Sequence, residues 1–130
     1  MSLRLTDAAG KLVSENFYWR GKDAASYQAM NVMPAVAVPV GLTKPQIDGK
    51  DNVVKATLQN NSATPALAVK LTLVNAKGER ILPALYSDNY VSLLPGETKE
   101  IAIRYPKEMA DAPAVNVRGW NVSEAAARAR

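Results

Sequence analysis

The sequence predicts an all-β domain, a β-sandwich of about seven to nine strands. Three observations carry this. Apolar and polar residues alternate in short runs, the period of a strand with one buried face. Turn-forming residues separate these runs, so strands recur about every 8–12 residues, the rhythm of a sandwich or barrel. Hydrophobic residues make up 48% of the 130, with no cysteine, so apolar packing rather than disulfides must supply the core.

Along the chain, Val13, Phe17 and Trp19 mark an early strand on which Tyr18 and Arg20 face the other way. Asp23 to Met33 reads as a helical turn capped by Asp23 and ended by Pro34. Val36, Val38, Val40 and Leu42 mark the next strand, then Val54, Ala56 and Leu58. The clearest alternation is Leu67, Val69, Leu71 and Leu73, with Ala68, Lys70 and Thr72 between. Ile101, Ile103 and Tyr105 form another run, and Val115 and Val117 begin the last. Asp48 to Asn52, Gln59 to Pro65, Asn75 to Glu79 with Gly78 at positive φ, and a type II turn at Pro95-Gly96 supply the breaks. Pro106 to Ala110 reads as a second short turn. The expected organisation is one sandwich over residues 1–122 and a flexible tail over 123–130, too short to hold a helix alone.

Composition excludes several functions. There is no histidine and no cysteine, so a Ser-His-Asp or Cys-His site and a thiolate metal site cannot be built within this chain. No metal and no cofactor is expected, and the isolated glycines form no phosphate-binding loop. The net charge is +4, with Lys44, Lys50, Lys55, Lys70 and Lys77 scattered among uncharged or acidic neighbours. That is a solvated surface rather than a nucleic-acid footprint. No apolar run approaches the roughly 20 residues of a membrane span. The expectation is no nucleic acid and no membrane.

Two carboxylates suffice for glycoside hydrolysis. Glu97 and Glu100 lie three apart on a predicted strand and so face opposite ways, while Asp7, Asp48 and Asp51 fall in loops. No catalytic residue is expected. Asp88 and Asn89 join two short apolar runs, where such side chains fix turns or contact another domain. Of Tyr18 and Trp19, one is expected in the core and the other is free to stack on a sugar or dock a domain. Core packing is expected for Trp120 as well. Tyr86, Tyr90 or Tyr105 could supply a tyrosine-corner hydrogen bond. Asn60-Asn61-Ser62 and Asn121-Val122-Ser123 match the glycosylation pattern, a chance-prone signal.

Four segments point further. Leu12-Val13-Ser14-Glu15-Asn16-Phe17-Tyr18-Trp19, with Gly10 ahead of it, resembles a strand motif in the C-terminal immunoglobulin-like domains of family-2 glycoside hydrolases, in the β-mannosidase, exo-β-glucosaminidase and mannosylglycoprotein endo-β-mannosidase branch. Tyr27 to Met30 is similar to that family's Y-x-x-L, with Met for Leu. Tyr86 to Glu97 resembles its F-x-D-N-Y-F-x-L-L-P-G-E signature, with Tyr86 for Phe and Val91 for the aromatic. Val117 to Asn121 resembles its final strand. The likeness runs from about Leu5 to Asn121. It implies an immunoglobulin-like antiparallel sandwich, other domains of a parent retaining glycosidase as partners, and an exported or periplasmic parent. The catalytic glutamates would lie in a barrel, which takes about 250 residues and cannot be here.

Three functions follow. The first is a non-catalytic accessory domain supporting the parent's catalytic barrel. The second is a carbohydrate-binding module whose platform draws on Tyr18 or Trp19, Tyr90 and Trp120. The third is an adhesion or protein-interaction domain with an edge strand that recruits another. Contact candidates are Tyr18, Trp19, Asp88, Asn89, Tyr90 and Trp120.

Overall fold

A computed structural model describes residues 1–109 and 112–129. The chain divides into two compact units, the first being Met1–Met33 and the second running from Pro34 onward. The sequence, read as a single sandwich from residue 1, did not show this division.

In the first unit, β1 (Ser2–Thr6) pairs antiparallel with β2 (Leu12–Phe17). Asp7 closes the loop by accepting from the Ala9 and Lys11 amides, both at 2.9 Å. Gly10 there has φ +79°, a conformation that an L side chain rarely adopts. The predicted helical turn is α1 (Ala24–Gln28), followed by a 3₁₀ turn at Ala29–Val32. Asp23 caps it by accepting from the Ser26 amide at 2.9 Å, and the Ser26 bonds hold the Asp23 carboxyl below its usual range. None of the 33 residues is buried.

The second unit is a sandwich of two antiparallel sheets. One has the order β11 (Ala125–Arg128), β10 (Ala114–Arg118), β6 (Ala66–Val74), β8 (Val91–Leu93). The other has the order β3 (Val40–Leu42), β5 (Asp51–Gln59), β9 (Thr98–Pro106), β7 (Leu85–Tyr86), with β4 (Gln46–Asp48) added on β5. The alternations read from the sequence set the inner faces. Val54, Ala56 and Leu58 of β5 and Ile101, Ile103 and Tyr105 of β9 meet Val69, Leu71 and Leu73 of β6 and Val115 and Val117 of β10 in one core. Each fully buried aliphatic side chain contributes about 1.5–3 kcal/mol.

The turns follow their residues. Gly78 sits at φ +83° between Asn75 and Glu79, whose backbones bond at 2.9 Å. At Leu94-Pro95-Gly96-Glu97 the Glu97 amide returns to the Leu94 carbonyl at 3.0 Å with Gly96 at φ +79°, a type II turn. The Pro106 turn is a 3₁₀ turn at Lys107–Met109, and Ala110 lies outside the described residues.

Two expectations change. Val36 and Val38 are buried, but only Val40–Leu42 is a strand, because Pro39 lacks the amide a ladder needs. The tail, expected to be flexible, holds β11, in which Ala125 to Arg128 pair with Val117 to Ala114. Arg130 lies outside the described residues. Three consecutive alanines had no alternation to announce a strand.

Tyr105 is 1% exposed, and among the described residues its hydroxyl has no partner in hydrogen-bonding geometry. Its cross-strand neighbour is Asn52. Tyr105→Phe is therefore expected to leave stability unchanged or raise it by about 1 kcal/mol, since an unpaired buried hydroxyl is removed. Burial also pushes the Tyr105 hydroxyl above the usual tyrosine value, with Asn52 pulling the other way. That contribution is complete below the unfolded value of about 10 and fades as pH rises through the folded one. Melts at neutral and strongly alkaline pH should show a smaller alkaline loss in the variant. A clear destabilisation at neutral pH would mean that the hydroxyl is bonded after all.

Candidate interaction face

The segment Tyr86 to Tyr90 completes an edge. β8 has only three residues, and its register with β6 reaches no further than Val69 opposite Val91. Beyond that point side chains stand in for a strand. The Asn89 carboxamide accepts from the Leu71 amide at 2.8 Å and donates to the Leu71 carbonyl at 3.0 Å. The Tyr86 hydroxyl accepts from the Leu73 amide at 2.8 Å, tying β7 of one sheet to β6 of the other. Among the three tyrosines considered, Tyr86 makes the bond to strand backbone. Burial raises its hydroxyl above the usual value. The Ile81 amide takes the Leu73 carbonyl at 3.1 Å. Asp88 pairs with Lys99 at 2.8 Å.

Asn121 does comparable work at the other end of β6. It accepts from the Leu67 amide at 2.9 Å and donates to the Pro34 and Pro65 carbonyls at 3.1 and 2.9 Å. Asn60 is fully buried, donating to the Thr64 and Leu93 carbonyls and accepting from Ser62. Both Asn-x-Ser matches thus spend their asparagines inside the fold, so neither side chain is presented for glycosylation.

The aromatic candidates lie outside the core. Tyr18 and Trp19, 46% and 41% exposed, both stay in the first unit, and Trp19 falls beyond the end of β2. Neither is the expected core member. Trp120 is also exposed rather than core, as is Tyr90, which takes φ +56°.

Tyr90 lies over the outer face of β6 and β10. Lys70 Nζ sits 5.0 Å from the centre of its ring. Lys70 pulls the Tyr90 hydroxyl below its usual value, with Arg118 and Arg80 adding to the effect. Lys70 and Arg118 are directly opposite in the β6–β10 register, with Thr72 opposite Asn116 beside them. Thr72, Asn116, Arg118 and Arg80 border a groove of about 450 Å³, in which Glu124 is the one acid among the described residues. The sequence hid this gathering. Lys70 and Arg118 are 48 positions apart, and alternation shows which way each faces but not which strands pair. The scattered appearance of the basic residues is a property of the sequence alone.

The chain matches, over residues 16–122, the family described as the exo-beta-D-glucosaminidase Ig-fold domain. It belongs to that family. This immunoglobulin-like domain is 36% identical to an exo-beta-D-glucosaminidase of Streptomyces avermitilis over 94% of its own length and 16% of the relative's. A mannosylglycoprotein endo-beta-mannosidase of Lilium longiflorum is 56% identical over 45 residues, 35% of the domain. The crystal structure of the Amycolatopsis orientalis exo-chitosanase CsxA superposes with a TM-score of 0.84 at 28% identity, over 95% of this domain and 17% of that chain. The domain therefore spans about a sixth of the length of these full-length relatives.

Proposed function

We propose that the domain is a non-catalytic accessory module that packs against other domains of its parent glycosidase, the catalytic barrel among them, and supports them in carbohydrate hydrolysis. One observation carries this. The unit Met1–Met33 buries no residue, yet it exposes Leu3, Leu5, Val13, Tyr18, Trp19 and Val32, each more than 40% accessible. A two-stranded ribbon is marginal in water by itself, and exposed apolar surface of this density marks a contact. Tyr18 and Trp19 are the contact residues we assign to it. The acids are engaged elsewhere: Glu100 pairs with Lys55 at 2.9 Å, Asp48 and Asp51 hold Arg104, and Glu97 accepts from the Leu94 amide at 2.8 Å.

The exposure of Tyr90 and Trp120 favours a second reading, a sugar-stacking platform. Against it stands charge. A glucosamine polymer carries ammonium groups, which Lys70, Arg80 and Arg118 would repel.

Titration of the 130-residue chain with glucosamine oligomers and β-mannosides, followed by NMR, separates the readings. The accessory reading expects flat spectra at millimolar sugar, no hydrolysis of an aryl β-glucosaminide, and an apolar dye bound at residues 1–33. Localised shifts at Tyr90 and Trp120 would make the domain a binding module and overturn it.

A further inference from the structure

The outer face of β6 and β10 contains an arrangement that the isolated sheet does not explain. Like charges directly opposite on paired strands destabilise a sheet. Lys70 and Arg118 occupy that relation, and Arg80 borders one groove with Arg118. Among the described residues neither arginine has an ion-pair partner, and Glu124 is the one carboxylate lining the groove. Contrast Arg104 on the other sheet, where Asp48 and Asp51 neutralise the cation from an adjacent strand and hairpin. The fold pairs a cation within the chain at one face and leaves three together at the other.

The face is also ordered for contact. Lys70 is held over the Tyr90 ring, and Tyr90 is fixed by Asn89, whose side chain accepts from the Tyr90 amide at 3.0 Å. Thr72 and Asn116 place neutral hydrogen-bonding groups beside the charges. A guanidinium with a free planar fork takes a carboxylate through two bonds at once.

From this we infer that the Lys70–Arg80–Arg118 face is a docking surface for an acidic protein segment, one whose Asp or Glu carboxylates come from another domain of the parent polypeptide. The inference rests on the accessory reading and locates a second contact, separate from the apolar one at residues 1–33. The occupant is argued from charge complementarity, and from the roughly five-sixths of the relatives' length that this domain does not span. Its expected gain is in orientation and specificity as much as in affinity.

The test uses the 130-residue chain with a synthetic Glu-rich peptide as the probe, against a Lys-rich peptide and an oligogalacturonate, in which the carboxylates belong to a sugar. The expected result is saturable shifts of the Lys70, Thr72, Asn116 and Arg118 amides with the Glu-rich peptide alone, fading as salt is raised. Arg118→Glu should weaken binding about tenfold, a step of about 1.4 kcal/mol. The charge-matched Lys44→Glu, at an exposed position, should leave it within about twofold. Arg118→Gln should melt no lower than the unaltered chain, because repulsion with Lys70 is relieved; a lower melt would make the arginine structural and sink the proposal. Equal losses from Lys44→Glu and Arg118→Glu would reduce the face to net charge and overturn it. Tighter binding of oligogalacturonate would assign the face to an acidic glycan instead. Failure on any of these counts leaves the accessory reading standing, since that reading is decided by neutral and cationic sugars and by residues 1–33.

Discussion

Asn121→Ala is expected to cost about 3–5 kcal/mol, from three backbone groups each worth about 1–3 kcal/mol when left unpaired in the interior. The side chain is 7% exposed and joins the Leu67 amide to the carbonyls of Pro34 and Pro65, segments 54 to 87 positions away in sequence. No strand can replace it there. Pro65 interrupts the chain just before β6, and Ala68 sits at φ +52° where the β6–β8 register shifts. Asn121→Asp keeps the oxygen that Leu67 needs but turns a second oxygen toward two carbonyls. Its carboxyl should therefore titrate above the usual value of about 3.9. The sign follows from the raised folded value. The variant should be most stable in acid and lose stability as pH rises through that value. Urea unfolding of both variants near pH 4 and near pH 7 tests this. An Asn121→Ala stability within about 0.5 kcal/mol of the unaltered chain, the size of an ordinary surface substitution, would show that water takes over the three groups.

The second large effect is at the preceding turn. A methyl group on Gly119 would lie 2.8 Å from the Leu67 carbonyl oxygen and 2.8 Å from Val122 Cγ2. That oxygen already accepts from the Trp120 amide at 2.9 Å, so it cannot withdraw without breaking the bond. Gly119→Ala should cost about 1–3 kcal/mol through this overpacking. Gly41 is the control. It lies in β3 with nothing within 4 Å of an added Cβ, so Gly41→Ala should be neutral or gain up to about 1 kcal/mol. Equal effects at the two sites would show that the Leu67 segment shifts freely.

These two positions show how far the sequence could be read. The inner faces of β5, β6, β9 and β10 were legible because alternation reports which side of a strand is buried, and packing obeys it. Gly78, Gly96 and Asp23 were legible because turns and caps are local. The resemblance of Tyr86 to Glu97 and of Val117 to Asn121 pointed to the right family, while the reason for those residues was hidden. Asn89, Asn121 and Tyr86 act on backbone groups of β6, which lies from 13 to 54 positions away. Nothing local announces such a partner. The exposure of Trp19 and Trp120 was missed for another reason: hydrophobicity predicts a need for cover but not whether this segment supplies it. The first unit was absorbed into the sandwich because the β2 strand, Leu12–Phe17, has the same period as core strands.

The side-chain stand-ins along β6 also bear on colloidal behaviour. A short β8 would normally leave several amides and carbonyls of β6 facing water in a row, the template on which a second chain lays a strand. Leu71 is capped by Asn89 and Leu73 by Tyr86 and Ile81, so that row has no two adjacent open positions to seed growth. Recruitment of a foreign strand at this edge, the route an adhesion domain would use, is therefore obstructed by the molecule's own asparagine and tyrosine. Removing Asn89 would open the edge to fibre-forming association before it melted the core.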